Sequence, residues 1–217
     1  MLTGKLSAEE GAFLVRLARR AVETYLRNAV IIDPPPETPP SLMQESGAFV
    51  TIEALRLDRF TGRVRRELRG CIGYPEPLLP LAEAVIRAAI AAATEDPRFP
   101  PLTPRELDNV IFEVSVLTPP QLVHYRGPAE LLEKVKVGRD GLMVELGGAR
   151  GLLLPQVPVE EGWSVEKFLS YACLKAGLPE DAWKTSRLRV YTFQAQIFVE
   201  ATPGGDVVER VLEPLHE

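Results

Sequence analysis

The sequence predicts an α+β fold, with an antiparallel or mixed sheet formed by two similar β-β-α-β halves and packed with helices. Two hairpin signals carry this prediction. Glycine-containing segments at residues 58–62 and 147–150 each separate two short strand-like runs, which is typical of adjacent antiparallel strands. A helical segment and then a β-branched run follow each hairpin. Because hairpins force antiparallel pairing, this order excludes a doubly wound parallel sheet.

A helix precedes the first half. Ser7 and Glu10 form the sequence signature of a capping box, and apolar residues then recur at helical spacing up to about Asn28. The proline-rich segment 33–40 cannot continue this helix, because proline lacks the backbone N–H and clashes with the preceding turn. We therefore expect an extended connector there.

The first half contains two strands, a helix and a third strand. Residues 48–55 are rich in β-branched and aromatic side chains, and residues 64–74 return as their hairpin partner. The alanine-rich residues 78–94 predict a largely buried helix. A proline-rich corner and a short helical turn at residues 103–107 then lead to residues 110–117, an apolar run typical of a central strand.

The second half repeats this order. A short helix near residues 128–134 comes first. Hairpin strands are predicted at residues 142–146 and 151–154, followed by a serine-capped helix at residues 164–176. A long strand at residues 188–199 closes the half.

A repeated dipeptide supports an internal duplication. The second strand of the first hairpin contains Arg69-Gly70, and that of the second contains Arg150-Gly151. We interpret the chain as a single domain with two subdomains, near residues 1–117 and 118–217, that either share a sheet or form one each.

Composition is that of an ordinary soluble globular protein. The chain has 217 residues, of which 46% are hydrophobic and 25% are charged. It is long enough to bury a hydrophobic core without stabilising disulfides or metal ions. Its two cysteines exclude a disulfide scaffold, and its net charge of −5 argues against binding nucleic acid over the whole surface. We recognise no secretory signal and no membrane-spanning run, and we expect a cytoplasmic protein that makes no membrane contact. The 20 prolines and the excess of arginine over lysine are compatible with a heat-tolerant source or with GC-rich codons.

The segment LRGCIG at residues 68–73 is the most distinctive of the chain. Glycine inside a strand costs stability and marks a bulge or a close backbone approach, which leaves Cys71 room to meet a ligand. The thiol is a candidate nucleophile, a metal ligand or a small core residue, whereas Cys173 lies among apolar helix positions and reads as core. No zinc-ligand spacing surrounds Cys71, and we expect neither a metal nor a cofactor. A catalytic Cys–His pair would have to use His124, in a loop, or His216, in the C-terminal tail, and neither is a persuasive partner.

Three further places offer polar chemistry. Asp96 and Arg98 share a proline-rich corner, where Arg98 either grips a ligand carboxylate or phosphate or pairs with Asp96. If the halves are duplicated, the ends of the two hairpins converge and bring Gln156 near Cys71. Glu113, within an apolar strand, is either paired with an arginine or a carboxyl with a raised pKa.

The first hairpin is rich in arginine. Six arginines stand against two acidic residues and give a local charge of +4: Arg56, Arg59, Arg63, Arg65, Arg66 and Arg69 against Asp58 and Glu67. Such a cluster either contacts RNA phosphates, with Arg63, Arg65 and Arg66 as candidates, or forms a solvated hairpin surface. Phe60 is the aromatic residue nearby that would stack on a base.

Five segments, taken together and in order, resemble the AMMECR family, named after the Alport syndrome, intellectual disability, midface hypoplasia and elliptocytosis chromosomal region. They are LRGCIG at 68–73, DPRFPP at 96–101, SVLTPP at 115–120, GLLLPQV at 151–157 and AGLPEDAW at 176–183. The resemblance runs from about Leu6 to Glu200, and all six signature positions at 68–73 match. It implies an α+β fold with two subdomains around a cleft, and a pathway shared with Memo-like and radical-SAM proteins. It supplies no general base for Cys71.

Two functions from different classes follow, and the sequence leaves open whether the protein is an enzyme. The first is the binding of a small molecule or a modified peptide or protein in a cleft near Cys71, with Cys71 as the candidate nucleophile of a group transfer and an arginine lowering the thiol pKa. The residues that this hypothesis assigns to the ligand are Arg69, Gly70, Gly73, Asp96, Arg98 and Gln156. The alternative is a non-enzymatic RNA- or protein-binding module that uses the arginine-rich hairpin at residues 56–69.

Overall fold

The structure, a computed structural model, describes residues 4–59, 61–185 and 187–212. These residues form helices and antiparallel strands, and the predicted α+β class is confirmed. The elements are α1 (Ala8–Asn28), β1 (Gly47–Leu57), β2 (Val64–Tyr74), α2 (Leu81–Thr94), β3 (Val110–Leu117), β4 (Gln121–Leu122), α3 (Pro128–Lys134), β5 (Gly141–Leu146), β6 (Ala149–Leu153), α4 (Gln156–Glu160), α5 (Val165–Lys175), β7 (Arg189–Phe193), β8 (Ala195–Glu200) and β9 (Val207–Arg210).

The described residues form two compact units. The first comprises those of Met1–Leu117 with Gln196–Arg210, and the second those of Thr118–Ala195 with Val211–Glu217. Each unit has its own sheet and its own hydrophobic core.

The first unit is a five-stranded sheet in the order β2-β1-β3-β8-β9, with α1 and α2 packed on one face. Alternate residues along β1 and β3, such as Val50 and Phe112, enter the core beneath these helices, as the twofold side-chain period of a strand requires. The predicted capping box is present, since the Glu10 N–H binds the Ser7 hydroxyl and the Glu10 carboxylate accepts from the Ser7 N–H. α2 is apolar around almost its whole circumference because it contacts α1 as well as β1 and β2.

A buried ion pair fixes β8 within this unit. Arg19 of α1 donates from Nε and Nη2 to the two carboxylate oxygens of Glu200, both at 2.6 Å, and also to the carbonyls of Leu107 and Val110. The Glu200 carboxylate additionally accepts from the Phe112 N–H. Because every partner is hydrogen-bonded, the two charges are tolerated inside the unit.

The second unit is a four-stranded sheet in the order β4-β7-β5-β6, and its core includes residues of α3 and α5. Cys173 is fully buried in that core, as predicted. Within both sheets the first hairpin strand lies between its hairpin partner and the next long strand, giving β2-β1-β3 and β6-β5-β7. The predicted pair of β-β-α-β halves is therefore present.

The repeated Arg-Gly dipeptide has a common packing reason. A Cβ at Gly70 would lie 2.0 Å from the Ala92 carbonyl oxygen of α2, and a Cβ at Gly151 would lie 2.5 Å from the Ala172 carbonyl oxygen of α5. In each half, glycine lets the helix that follows the hairpin approach the second strand closely.

One predicted strand and three unpredicted short elements distinguish the structure from the sequence prediction. The single strand predicted at residues 188–199 is two strands, β7 in the second sheet and β8 in the first. Gln194 separates them: its carbonyl accepts from the Thr118 N–H at 2.9 Å, and its own N–H donates to the Thr118 hydroxyl at 2.8 Å. The short β4, α4 and the C-terminal β9 had no clear sequence signal and were not predicted.

Candidate functional site around Cys71

Cys71 lies on β2, the edge strand of the first sheet. Its partner across the ladder is Thr51 of β1, whose hydroxyl donates to the Cys71 Sγ at 3.3 Å. The Cys71 N–H points away from β1 and binds Asp96 instead, so the pair is not joined by backbone hydrogen bonds. Side chains of such pairs approach closely, which explains the contact between hydroxyl and sulfur.

Asp96 and Arg98 close the sheet edge at Cys71. The Asp96 Oδ2 accepts from the Cys71 N–H at 2.9 Å, and the Arg98 Nη2 lies 3.5 Å from the Cys71 carbonyl oxygen. Arg98 also donates two hydrogen bonds to Asp96, from Nε to Oδ1 at 2.9 Å and from Nη2 to Oδ2 at 2.7 Å. Together the two side chains present an acceptor and a donor to Cys71, as the peptide groups of a neighbouring strand would. Of the two readings of this corner, pairing is therefore what the structure contains.

The Asp96 carboxyl is strongly stabilised in its charged form. Hydrogen bonds from Arg98 lower its pKa to about 2, with a further contribution from the Cys71 N–H, although burial acts in the opposite direction. Asp96 is 4% exposed. It is therefore a fixed anion at neutral pH and not a proton acceptor for the thiol.

The Cys71 thiol has a raised pKa. Burial is the largest cause and outweighs the hydrogen bond from Thr51 and the positive charge of Arg98, both of which lower the pKa. Arg98 does lower this pKa, as the sequence hypothesis invoked, but its effect is smaller than that of burial, and the charges of Glu113 and Asp96 raise the pKa further.

Glu113 continues the row of polar side chains on this face of the sheet. It lies opposite Thr51 on β3, two strands from Cys71, and it accepts a hydrogen bond from Arg210 of β9 at 3.0 Å. The ion-paired reading of Glu113 is confirmed. The sequence did not indicate the partner, because β9 was not predicted.

The two glycines beside Cys71 both make close packing contacts. The absence of a side chain at Gly70 lets the backbone of α2 pack directly against β2. At Gly73 a Cβ would lie 2.3 Å from the ring of Phe49, which therefore covers this glycine on the same face of the sheet as Cys71. The close backbone approach predicted from the sequence is present, and in both cases the neighbour belongs to the first unit.

Arg69 turns away from the thiol. Its Nε donates to the Glu106 carboxylate at 2.9 Å and its Nη2 to the Pro101 carbonyl at 3.4 Å, and the residue is 9% exposed. The guanidinium carbons of Arg69 and Arg98 lie 5.9 and 5.5 Å from the centre of the Phe99 ring. Arg69 thus braces the corner that carries Asp96 and Arg98.

Gln156 belongs to the second unit, where it begins α4 and is 5% exposed. His124 is also in the second unit and is exposed. His216 and Phe60 lie outside the described residues. Among the residues that are described, no three His, Cys, Asp or Glu side chains converge into a metal site. No helix in this part of the chain is long and apolar enough to cross a membrane.

The arginine-rich hairpin carries its own acidic partners. Arg65 pairs with Asp58 at 2.9 Å, and Arg56 pairs with Glu67 at 3.6 Å. Arg66 lies 3.7 Å from Glu53, on the strand that precedes the turn. The positive charge available to a phosphate is therefore smaller than the sequence count suggests.

Thr51, Glu106 and Arg210 are the site residues that sequence reasoning missed. Thr51 and Arg210 sit in strands where only the register across the sheet reveals what they face. Glu106 did carry a signal, since Thr103 and Glu106 form a second capping box.

Comparisons with known proteins agree with the motifs. The family model described as AMMECR1 matches residues 15–198. A protein of Thermofilum pendens is 73% identical over 210 residues, covering 97% of this chain and 99% of its own length. Protein MJ0810 of Methanocaldococcus jannaschii is 50% identical over 208 residues, 95% of this chain and 98% of its own. The crystal structure of protein PH0010 from Pyrococcus horikoshii matches with a TM-score of 0.90 at 52% identity and covers 96% of this chain and 100% of that one. The chain therefore belongs to the AMMECR1 family.

Proposed function

We propose that the chain binds a small molecule or a modified peptide through an anionic or carbonyl group held beside Cys71 by Arg98. The observation that carries the proposal is that Arg98 is fixed and yet 49% exposed. Its Nε and Nη2 are occupied by Asp96 and the Cys71 carbonyl. The two N–H groups of Nη1 make no hydrogen bond to the described residues, so they form a preorganised donor pair for an acceptor group.

The surroundings of the thiol support binding of a neutral or apolar moiety next to that group. Cys71 is half-buried, and its raised pKa keeps it as a neutral thiol at pH 7. Phe49 covers the neighbouring Gly73 and adds an apolar surface on the same face. A ligand with an acceptor at one end and an apolar body matches this combination.

Group transfer by Cys71 is the catalytic form of the same proposal. The thiol would lose its proton, and the sulfur would attack an acyl carbon to form a thioester. The bond from that carbon to the leaving group would break, and the leaving group would take up the proton. Thr51 is the hydrogen-bond partner of Sγ among the described residues, and a hydroxyl is no base at neutral pH. Ligand binding is therefore better supported than catalysis.

The alternative, an RNA- or protein-binding module built on the arginine-rich hairpin, has weaker support on the RNA side. Three of the arginines have carboxylates within 4 Å, and exposed ion pairs of this kind compete with phosphate contacts. Memo-like and radical-SAM proteins are proposed as pathway partners on the family resemblance alone.

Two alkylating agents of nearly equal size test the proposal. Iodoacetate carries a carboxylate, whereas iodoacetamide is neutral, and both react with thiolates. The ratio of their rates at Cys71, measured by peptide mass spectrometry and divided by the ratio for a free thiol, reports whether Arg98 binds the anion. We expect the rate ratio to favour iodoacetate by about two- to fivefold, which corresponds to the binding free energy of one partly screened ion pair.

Arg98→Gln should reduce this enrichment to that of the free thiol. Arg126→Gln is the matched control, because Arg126 also pairs with a carboxylate and is 94% exposed. It should leave the ratio unchanged. A wild-type ratio equal to that of the free thiol, or one that survives Arg98→Gln, would contradict binding at Arg98. A Cys71 rate no faster than that of the buried Cys173 would exclude the nucleophile form.

A further inference from the structure

The edge of β2 is closed at one end and open at the other. From Arg69 to Cys71 the segment that carries Asp96, Arg98 and Glu106 covers it. From Val64 to Leu68 every residue is exposed, and among the residues that the structure describes no further strand pairs with this edge of β2. An open edge of this kind presents unpaired N–H and C=O groups to a partner strand.

Apolar side chains accompany the open edge on the face that carries Cys71. Leu57 lies opposite Val64 and Leu68 lies opposite Glu53, while Cys71 lies opposite Thr51 beyond a one-residue register shift between Ile52 and Glu53. Leu57, Glu53 and Thr51 alternate along β1, so they share one face of the sheet with their partners on β2. Leu57, Val64 and Leu68 are 65%, 60% and 42% exposed. Large apolar residues this exposed at the end of a charged hairpin indicate a contact surface.

The charge of the hairpin selects among possible occupants. Residues 55–68 contain five arginines and two carboxylates, a formal charge of +3 in a chain whose total is −5. Edge-to-edge pairing with a second copy would place these arginines against their own copies, and like charges directly opposite are destabilising. An acidic strand from another protein meets no such repulsion.

The geometry points to an extended, acidic polypeptide segment as the occupant, added to β2 along Val64–Leu68 and ending at the Asp96–Arg98 pair beside Cys71. This rests on the proposed binding at Cys71, and it specifies the ligand as part of a protein and not a free metabolite. Backbone hydrogen bonds to β2 provide affinity, the arginines select acidic side chains, and the closed end positions the terminus of the segment at Arg98.

The test uses a fluorescein-labelled octapeptide in which glutamate alternates with valine, titrated with the full chain and followed by anisotropy. We expect saturable binding that weakens as salt is raised. The same peptide with N-methyl groups on alternate amides should lose this binding, because it cannot pair with the strand edge. Equal binding of the methylated peptide would overturn the edge-pairing model.

Charge-reversal variants locate the site. Arg63→Glu with Arg65→Glu should weaken peptide binding about tenfold, the loss expected for two partly screened charge contacts. Arg16→Glu with Arg27→Glu changes the net charge equally at exposed positions of α1 and should change binding less than twofold. Equal losses in the two variants would show non-specific attraction and refute the assignment.

Two further outcomes name a different occupant. Displacement of the peptide by an oligouridylate at lower concentration than by unlabelled peptide would identify nucleic acid as the occupant. A concentration-dependent dimer in which the Val64–Leu68 backbone amides become protected from hydrogen exchange would identify a second copy. The iodoacetate ratio at Cys71 separates this inference from the proposed function. If iodoacetate is still enriched at Cys71 while the peptide fails to bind, the docking on β2 is wrong and the Arg98 site stands. If the peptide binds but iodoacetate shows no enrichment, the Arg98 site is wrong and the docking on β2 stands.

Discussion

Replacing Asp96 by asparagine removes one negative charge from the corner that holds Cys71 while keeping the shape of the side chain. The Asp96 pKa is about 2 against an ordinary value of 3.8. At about 1.4 kcal/mol per pKa unit, this difference corresponds to about 2 kcal/mol of unfolding free energy at pH 7. Charge-assisted hydrogen bonds to Arg98 and the Cys71 N–H are the source, and each such bond typically contributes about 1.5–3 kcal/mol.

The pH dependence gives the prediction its sign. A carboxyl whose pKa is depressed by folding contributes stability above its unfolded pKa, and that stability disappears as the pH falls through the folded pKa. The deficit of Asp96→Asn should therefore be full at pH 7, about half as large at pH 3, and small near pH 2. Urea unfolding followed by circular dichroism at pH 7 and pH 3 measures both values.

Glu130→Gln is the matched control, because the pKa of Glu130 is also about 2 but its partners are Arg126, which is 94% exposed, and Lys134. Solvent screens these pairs, so we expect no measurable loss of stability. The reasoning is refuted if Asp96→Asn costs less than about 0.5 kcal/mol at pH 7, or if its deficit is the same at both pH values.

Three further changes test the same contacts. Thr51→Val should slow the alkylation of Cys71 at pH 8, because the hydroxyl lowers the thiol pKa; an unchanged rate would show that the hydroxyl does not bind Sγ. Gly70→Ala should destabilise the chain by at least about 2 kcal/mol, since the new Cβ meets a backbone carbonyl, whereas Gly127→Ala, with open space at its Cβ, should cost little; similar melting curves would contradict the close packing. Glu200→Gln should cost about 3–5 kcal/mol in urea unfolding by leaving a buried guanidinium without its anion, and a loss below about 1 kcal/mol would contradict that pairing.

Local signals in the sequence were sufficient for most elements. The capping box at Ser7 and Glu10 places the start of α1, and a glycine-containing turn separates β1 from β2. The Arg-Gly dipeptides indicated the duplicated halves because Gly70 and Gly151 meet the same constraint, a helix backbone against the strand. Such features depend on residues close in the chain or on a space that only glycine can leave.

The strand predicted at residues 188–199 shows where local reasoning ends. Its alternating pattern continues through Gln194, and nothing in the pattern says which sheet each half joins. That choice depends on Thr118, far away in sequence, which binds the Gln194 backbone and ends one strand before the next begins. Periodicity records which face of a strand is apolar, and not which neighbour it pairs with.

For the site around Cys71, too, some properties follow from the sequence and others only from the tertiary structure. The sequence by itself determined the family, the α+β class and the positions of Cys71, Asp96 and Arg98, because these follow from residue identity and order. The direction of the Cys71 pKa and the pairing of Asp96 with the strand edge were decided only by the tertiary structure. Burial and hydrogen-bond geometry set both, and each depends on residues that are 20 or 25 positions away in the chain.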